Sequence, residues 1–188
     1  MSIIEDGKGS GYKASVTNTN RLDVSSRSNK RIFYVSKNNG KAFAINLAFT
    51  QASGGTTEGI GYVTYTGNDK LYLHKITVST EEPSGGLTKF GIWLEPTTLS
   101  GGTSKIPSNK NTTSAQASET TCMHNNDGTS ITVSGGTSIY TIRLSGPNTF
   151  IIEFDDAIIL GKNKTLGIKG SAATTGTKMR TTISWFEE

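Results

Sequence analysis

From Arg31 onward, apolar and polar side chains alternate with a period of two in a series of short runs. In KAFAINLAF, Phe43, Ile45, Leu47 and Phe49 share one face, opposite Ala42, Ala44, Asn46 and Ala48. In KLYLHKITV the same parity sets Leu71 and Leu73 against Tyr72, His74, Ile76 and Val78, and in FGIWLE it sets Phe90, Ile92 and Leu94 against Trp93 and Glu95. IYTIRL alternates Tyr140, Ile142 and Leu144 with Thr141 and Arg143, while FIIEF alternates Phe150, Ile152 and Phe154 with Ile151 and Glu153. The closing RTTISWFEE puts Ile183 and Trp185 on one side. Successive side chains of a strand point to opposite faces, so this spacing predicts half-buried β-strands. No window carries an amphipathic helix of ten residues.

Between the runs lie GG, NNG, GND, PSGG, NNDG, SGPN and TTG, all of them turn chemistry. Short strands punctuated in this way predict an all-β fold, an antiparallel two-sheet β-sandwich. About eight strands joined in Greek-key order would make it jelly-roll-like, an arrangement that hides edges by packing two sheets together. GGTS occurs at Gly101–Ser104 and again at Gly135–Ser138, but the flanks do not align, so it reads as recurring turn chemistry and not as a repeat.

Two stretches stand outside this pattern. Residues 1–30 are rich in Gly, Ser and Asn, and their strand-like pieces YKASV and RLDV are too small to bury a face alone. They read as an extended N-terminal arm, for anchoring or inter-subunit contact, ahead of a sandwich domain spanning 31–188. Residues 101–118, GGTSKIPSNKNTTSAQAS, form a polar interruption with no carboxylate and no His. Loops of that length in compact domains are functional or disordered.

Composition narrows the function classes. The 188 residues suit one domain plus an arm, and the chain is 33% hydrophobic and 18% charged, with abundant Gly, Ser and Thr. The net charge of +4 is spread out; its densest groups are Ser25–Arg31 and the lysines at 162, 164 and 169. Nucleic-acid readers concentrate a basic stripe among aromatics, so nucleic acid is not the expected partner. A single cysteine, Cys122, excludes an intrachain disulfide, and with only His74 and His124 it cannot complete a Cys/His zinc site without carboxylate help. The N-terminus lacks the basic and apolar regions of a secretory signal, and no apolar run is long enough to span a bilayer. The expectation is a chain made in a cytoplasm, soluble, without membrane contact and without cofactor or metal.

The candidate chemistry is thin. Glu153 and Asp155, with Asp156 beside them, would share a strand face, and paired carboxylates are what a glycosidase uses. No other polar cluster completes such a site, and charges at a strand end also serve solubility. HNNDG (His124–Gly128) offers oxygen ligands without EF-hand spacing and reads as a turn. DGKGSGYK has glycines and a lysine but lacks the Gly-Lys-Ser/Thr ending of a phosphate loop. Cys122 and His124 alternate onto one face with nothing nearby to activate the thiol. Trp93 and Trp185, with Tyr62, Tyr65 and Tyr72, are candidates for stacking on sugars or for packing. The expectation is a non-enzymatic protein that works through its surface.

Three landmarks then point to a family. EDGKGSGYKASVTNTNRLDV (Glu5–Val24), the 101–118 segment and LGKNKTLGIKGSAATTGTKMRTTISWFEE occur in the order found in tailed-bacteriophage virion structural proteins, which this chain resembles. Gly161-Lys162-Asn163-Lys164 departs from the Pro-Gly turn more usual there. The resemblance implies a jelly-roll virion component, foremost a capsid decoration (cement) protein that binds and stabilises the assembled head. Its partner would be the major capsid protein, its location the capsid surface, and its state a homo-oligomer, with a trimer matching a local threefold. In the arm, Lys8, Tyr12, Lys13, Arg21, Leu22 and Asp23 are the expected contacts; in the loop, Lys105, Pro107, Asn109 and Lys110. The alternative is a tail or fibre host-attachment module that binds surface glycans.

Overall fold

The computed structural model describes residues 3–5, 13–16, 22–23, 31–81, 86–126 and 130–188. The chain divides into two units, Met1–Lys30 and Arg31–Glu188. In the first, β1 (Ile3–Glu5), β2 (Lys13–Val16) and β3 (Leu22–Asp23) form a three-stranded antiparallel sheet. Ile4 pairs with Ala14 and Val16 with Leu22, so both edges of β2 are taken within the unit.

The second unit begins with α1 (Arg31–Asn39) and continues through β4 (Ala42–Thr50), β5 (Glu58–Tyr65), β6 (Leu71–Thr80) and β7 (Leu87–Leu94). The short strands β8 (Thr98–Gly101), β9 (Thr103–Ser104), β10 (Ser108–Asn109), β11 (Thr120–His124) and β12 (Ile131–Ser134) follow. Then come β13 (Thr137–Ser145), β14 (Asn148–Leu160), β15 (Thr165–Ala172) and β16 (Lys178–Glu187). One sheet runs β10-β4-β16-β6-β14, the other β13-β7-β15-β5-β11-β9, and β12 pairs with β8 separately. The long strands pair as a nested set: β4 with β16, β5 with β15, β6 with β14 and β7 with β13. A chain that doubles back once and then rolls up between two sheets is a jelly roll.

The alternation places the core. Phe43, Ile45, Leu47 and Phe49 of β4 are buried with Phe90, Ile92, Ile183 and Trp185 in one cluster between the sheets. Each such side chain contributes about 1.5–3 kcal/mol by leaving water.

The structure departs from simple alternation in three places. Residues 31–39 are helical, where a strand pattern was expected. Only Ile32 and Val35, one turn apart, are buried, and they pack on Ala42 and Phe186. Phe33 and Tyr34 face solvent, so no apolar stripe is long enough to read. Gly40, at φ +64°, closes the helix in the left-handed conformation. In β6, parity reverses at His74. Lys75 and Leu73 lie opposite Ser184 and Trp185 on one side and Glu153 and Ile158 on the other, so both registers step over position 74. This bulge turns Ile76 and Val78 into the same core as Leu71 and Leu73, instead of onto the opposite face. Finally, Tyr140 and Phe150 lie outside the core that buries Ile142, Leu144, Ile152 and Phe154.

Candidate functional site

The two lateral sides of the sandwich are built differently. On one side, β4 and β5 would be edge strands, and the excursion between β7 and β13, which contains the polar segment, covers both. β10 adds to β4 through Ser108↔Ala44 and Asn109↔Phe43. β11 adds to β5 over Thr120–His124, and β9 adds to β11. The remaining strand pair, β8–β12, lies over the far face of the second sheet. There Ile131 and Val133 occupy the space that Cβ atoms on Gly59 and Gly167 would fill.

Polar side chains fasten this cover. Asn109 Nδ2 donates to the Gly40 carbonyl (2.7 Å) and to the Gln116 carbonyl (2.9 Å), and its Oδ1 accepts from Asn111 N–H (2.8 Å). Asn111 Nδ2 donates to the Ser36 carbonyl of α1 (2.9 Å). At the far end, the buried Glu187 carboxylate accepts from the Trp185 indole (3.1 Å), the Ser118 hydroxyl (2.5 Å) and Glu119 N–H (3.1 Å). A buried carboxylate with three donors is a satisfied anchor and not an idle charge.

The opposite side is open. Among the described residues, β13 and β14 end their sheets. Exposed apolar side chains gather on them: Tyr140 (44%), Phe150 (47%), Ile151 (55%) and Ile159 (49%). Tyr140 stands edge-on to Phe154 at 5.7 Å, so the ring bridges this ridge to the core. β14 is interrupted midway, where Asp155 and Asp156 take φ of 45° and 64° and pairing with β6 lapses between Glu153 and Ile158. Long apolar edges invite a further strand, and a charged bulge limits where one can add.

The expected contact residues fall as follows. Lys8, Tyr12 and Arg21 lie outside the described residues; Lys13 is in β2 and Leu22 and Asp23 in β3, without side chains described. In the loop, Lys105 and Pro107 are half-buried and flank Ile106, which is 88% exposed. Asn109 is engaged within the chain. Lys110 borders a cavity of ≈ 390 Å³ with Phe33, Lys37 and Asn111. The loop's amides therefore bind its own sandwich, leaving Ile106 and Lys110 exposed. Sequence reasoning missed the β13–β14 ridge, because its alternation reads as core-facing at Tyr140 and Phe150.

The catalytic candidates are not assembled into a site. Glu153 lies across from Lys75, while Asp155 and Asp156 sit in the bulge. Asp156 Oδ1 is 3.9 Å from His74 Nδ1, and burial holds its carboxyl above the ordinary value against the pull of His74 and Arg31. Cys122 is buried, its thiol pushed up to about 11 by burial, with Thr120 Oγ1 at 3.4 Å from its sulfur. His124 is held below its usual value by burial and by Lys105. Asn125 of HNNDG is buried and bonds the β5 backbone. Of the aromatics, Trp185 and Tyr65 are core, Tyr62 and Tyr72 are half-buried, and Trp93 is half-buried on the second sheet.

No protein-family model and no curated protein matches the chain. Among solved structures it is similar to the crystal structure of the infectious bursal disease virus VP2 subviral particle, at 14% identity and a TM-score of 0.22. The match covers 78% of this chain and 41% of that one, so the chain spans less than half of that protein. A likeness of this size carries neither fold nor role across.

Proposed function

We propose that the chain is a non-enzymatic structural protein of a tailed-phage virion, a capsid decoration protein that binds the major capsid protein on the head surface. The observation that supports it best is the open β13–β14 side, where exposed apolar side chains lie on two sheet edges while the chain covers the other two edges itself. Assembly proteins use such surfaces, and a symmetric oligomer multiplies weak contacts through effective concentration. The resemblance of the three landmark segments supplies the virion context, and residues 1–30 supply the anchoring arm.

The test is decoration of undecorated capsids, read by co-sedimentation and by cryo-electron microscopy. The full chain is expected at symmetric positions on the head, as a trimer at local threefolds. Removal of residues 1–30 is expected to abolish binding while the sandwich keeps its β-sheet circular dichroism. Unchanged affinity after truncation would remove the arm from the account, and density on the tail in native virions would remove decoration. A tail or fibre module binding surface glycans is the second reading, favoured by the setting of Trp93.

A further inference from the structure

On the second sheet, the register brings Gly91 of β7 level with Lys169 of β15 and Thr141 of β13. Trp93 shares the Gly91 face, two residues on. A Cβ on Gly91 would lie 2.8 Å from the Trp93 Nε1, so the missing side chain is what lets the indole edge settle there. The Lys169 ammonium stands 4.2 Å from the centroid of the indole. Around this pair is a cavity of ≈ 190 Å³ whose wall includes Lys89 and Ser171; its lining has two lysines and no carboxylate. It adjoins a second cavity of ≈ 370 Å³, with Thr57 and Lys169 common to both. The second is lined by Ser130, by β12 from Ile131 to Ser134, and by Glu58 and Gly59 of β5.

We infer that this trough binds an acidic oligosaccharide, with a charged sugar beside Trp93 and a neutral one between β12 and Glu58. The inference rests on the glycan-binding reading and adds to it the charge class and the subsites. Each part follows from the chemistry. A pyranose presents an apolar C–H face that suits an indole and a rim of hydroxyls that suits Ser and Thr. Its carboxylate or sulfate would take charge-assisted hydrogen bonds from Lys169 and Lys89. The first cavity is smaller than the ~300–1,000 Å³ of a drug-sized site, so it admits about one ring. Glu58 disfavours a second anion next door, so charged and neutral units alternate along the trough. Single-stranded nucleic acid would need several stacking aromatics along a longer basic groove.

Titration of the full chain with hyaluronan and heparin hexasaccharides, followed by calorimetry and tryptophan fluorescence, tests this. Trp185 is fully buried, so a fluorescence change reports Trp93. Saturable binding of at least one acidic probe is expected, weakened tenfold or more by Lys169→Gln and by Gly91→Ala, which displaces the indole. Uncharged chitohexaose is expected to bind at least tenfold more weakly. Both substitutions lie on the sheet surface, and an unchanged unfolding midpoint shows that they act on binding. Equal affinity for chitohexaose would overturn the acidic class while leaving glycan binding standing. No binding of any of the three sugars would overturn both. Equal binding of polyglutamate would overturn the sugar in favour of a general polyanion surface.

Discussion

The two sides of the sandwich face the same physical problem and solve it differently. At β4 and β5, the chain covers the exposed backbone of its own edges with β10, β11 and β9 and fastens the cover with partly buried hydrogen bonds. At β13 and β14 it leaves the edges uncovered, adds apolar side chains and places two aspartates in a bulge. An unpaired edge is a template for association, so proteins blunt edges unless association is the purpose. Under the proposed function, the side closed from within belongs to folding, and the open side to assembly. Substitutions on the two should divide accordingly, the first lowering stability and the second lowering binding.

The largest loss is expected from Glu187→Ala. It strands the Trp185 indole, the Ser118 hydroxyl and Glu119 N–H together. At about 1–3 kcal/mol for each unsatisfied buried group, with incomplete additivity, destabilisation of about 3 kcal/mol is expected. It would be read as a lower denaturation midpoint at unchanged slope. Cys122 provides a second readout, since the cover keeps its thiol buried and in the protonated form. Alkylation of Cys122 in the folded variant but not in the parent would show the cover opening at β11. A loss below about 1 kcal/mol would mean that Glu187 is not the anchor.

Asn109→Ala is the next test of the closed side. It removes three hydrogen bonds, to Gly40, Gln116 and Asn111, from a half-buried position, and a cost of about 1–2 kcal/mol is expected. Capsid decoration should persist at temperatures where the variant remains folded. If binding falls while stability holds, Asn109 touches a partner in addition to its own chain.

On the open side the signs exchange. Ile151→Lys puts a charge on the exposed edge and should change stability by no more than about 0.5 kcal/mol. Self-association, by sedimentation velocity, or capsid decoration should fall tenfold or more, equivalent to about 1.4 kcal/mol. Wild-type assembly together with lost stability would place Ile151 in the fold and dissolve the contrast between the two sides.

What the sequence alone disclosed follows the same division. β4 could be read residue by residue, because Phe43, Ile45, Leu47 and Phe49 face one core without interruption. The jelly-roll class followed from many such runs and their turns. Period-two reading assumes an unbroken ladder, and it failed where the ladder breaks: His74 shifts the parity of β6. α1 escaped notice because two buried residues make too short a stripe. The covering strands β9 and β10, at two residues each, hold their places through pairing partners distant in sequence, which no local pattern encodes. The open ridge was hidden for the opposite reason. Phe150 and Tyr140 continue a core alternation, yet the sheets end beside them, and only the topology shows that.

The bulge within that ridge offers the finest test, because it asks what the aspartates do. Asp156 sits at φ 64° with its Oδ1 buried and without a hydrogen-bond partner, and burial raises its carboxyl above the ordinary value. His74 and Arg31 pull the other way without cancelling the effect, and Asp155 adds to it. A carboxyl raised in the folded state binds its proton more tightly there than in the unfolded chain. Its contribution is thus present below the unfolded value, near 3.9, and is lost as pH rises through the folded value. Asp156→Asn removes that titration and keeps a side chain that tolerates the left-handed backbone. The variant should be more stable than the parent at pH 7 by up to about 0.5 kcal/mol, with the gain vanishing below about pH 4. It also takes one charge from the interruption in the β14 edge, so self-association should rise slightly as stability rises. A gain in stability without any change in association would assign the bulge to the twist of β14 alone, and leave Asp155 as the charge that guards the edge.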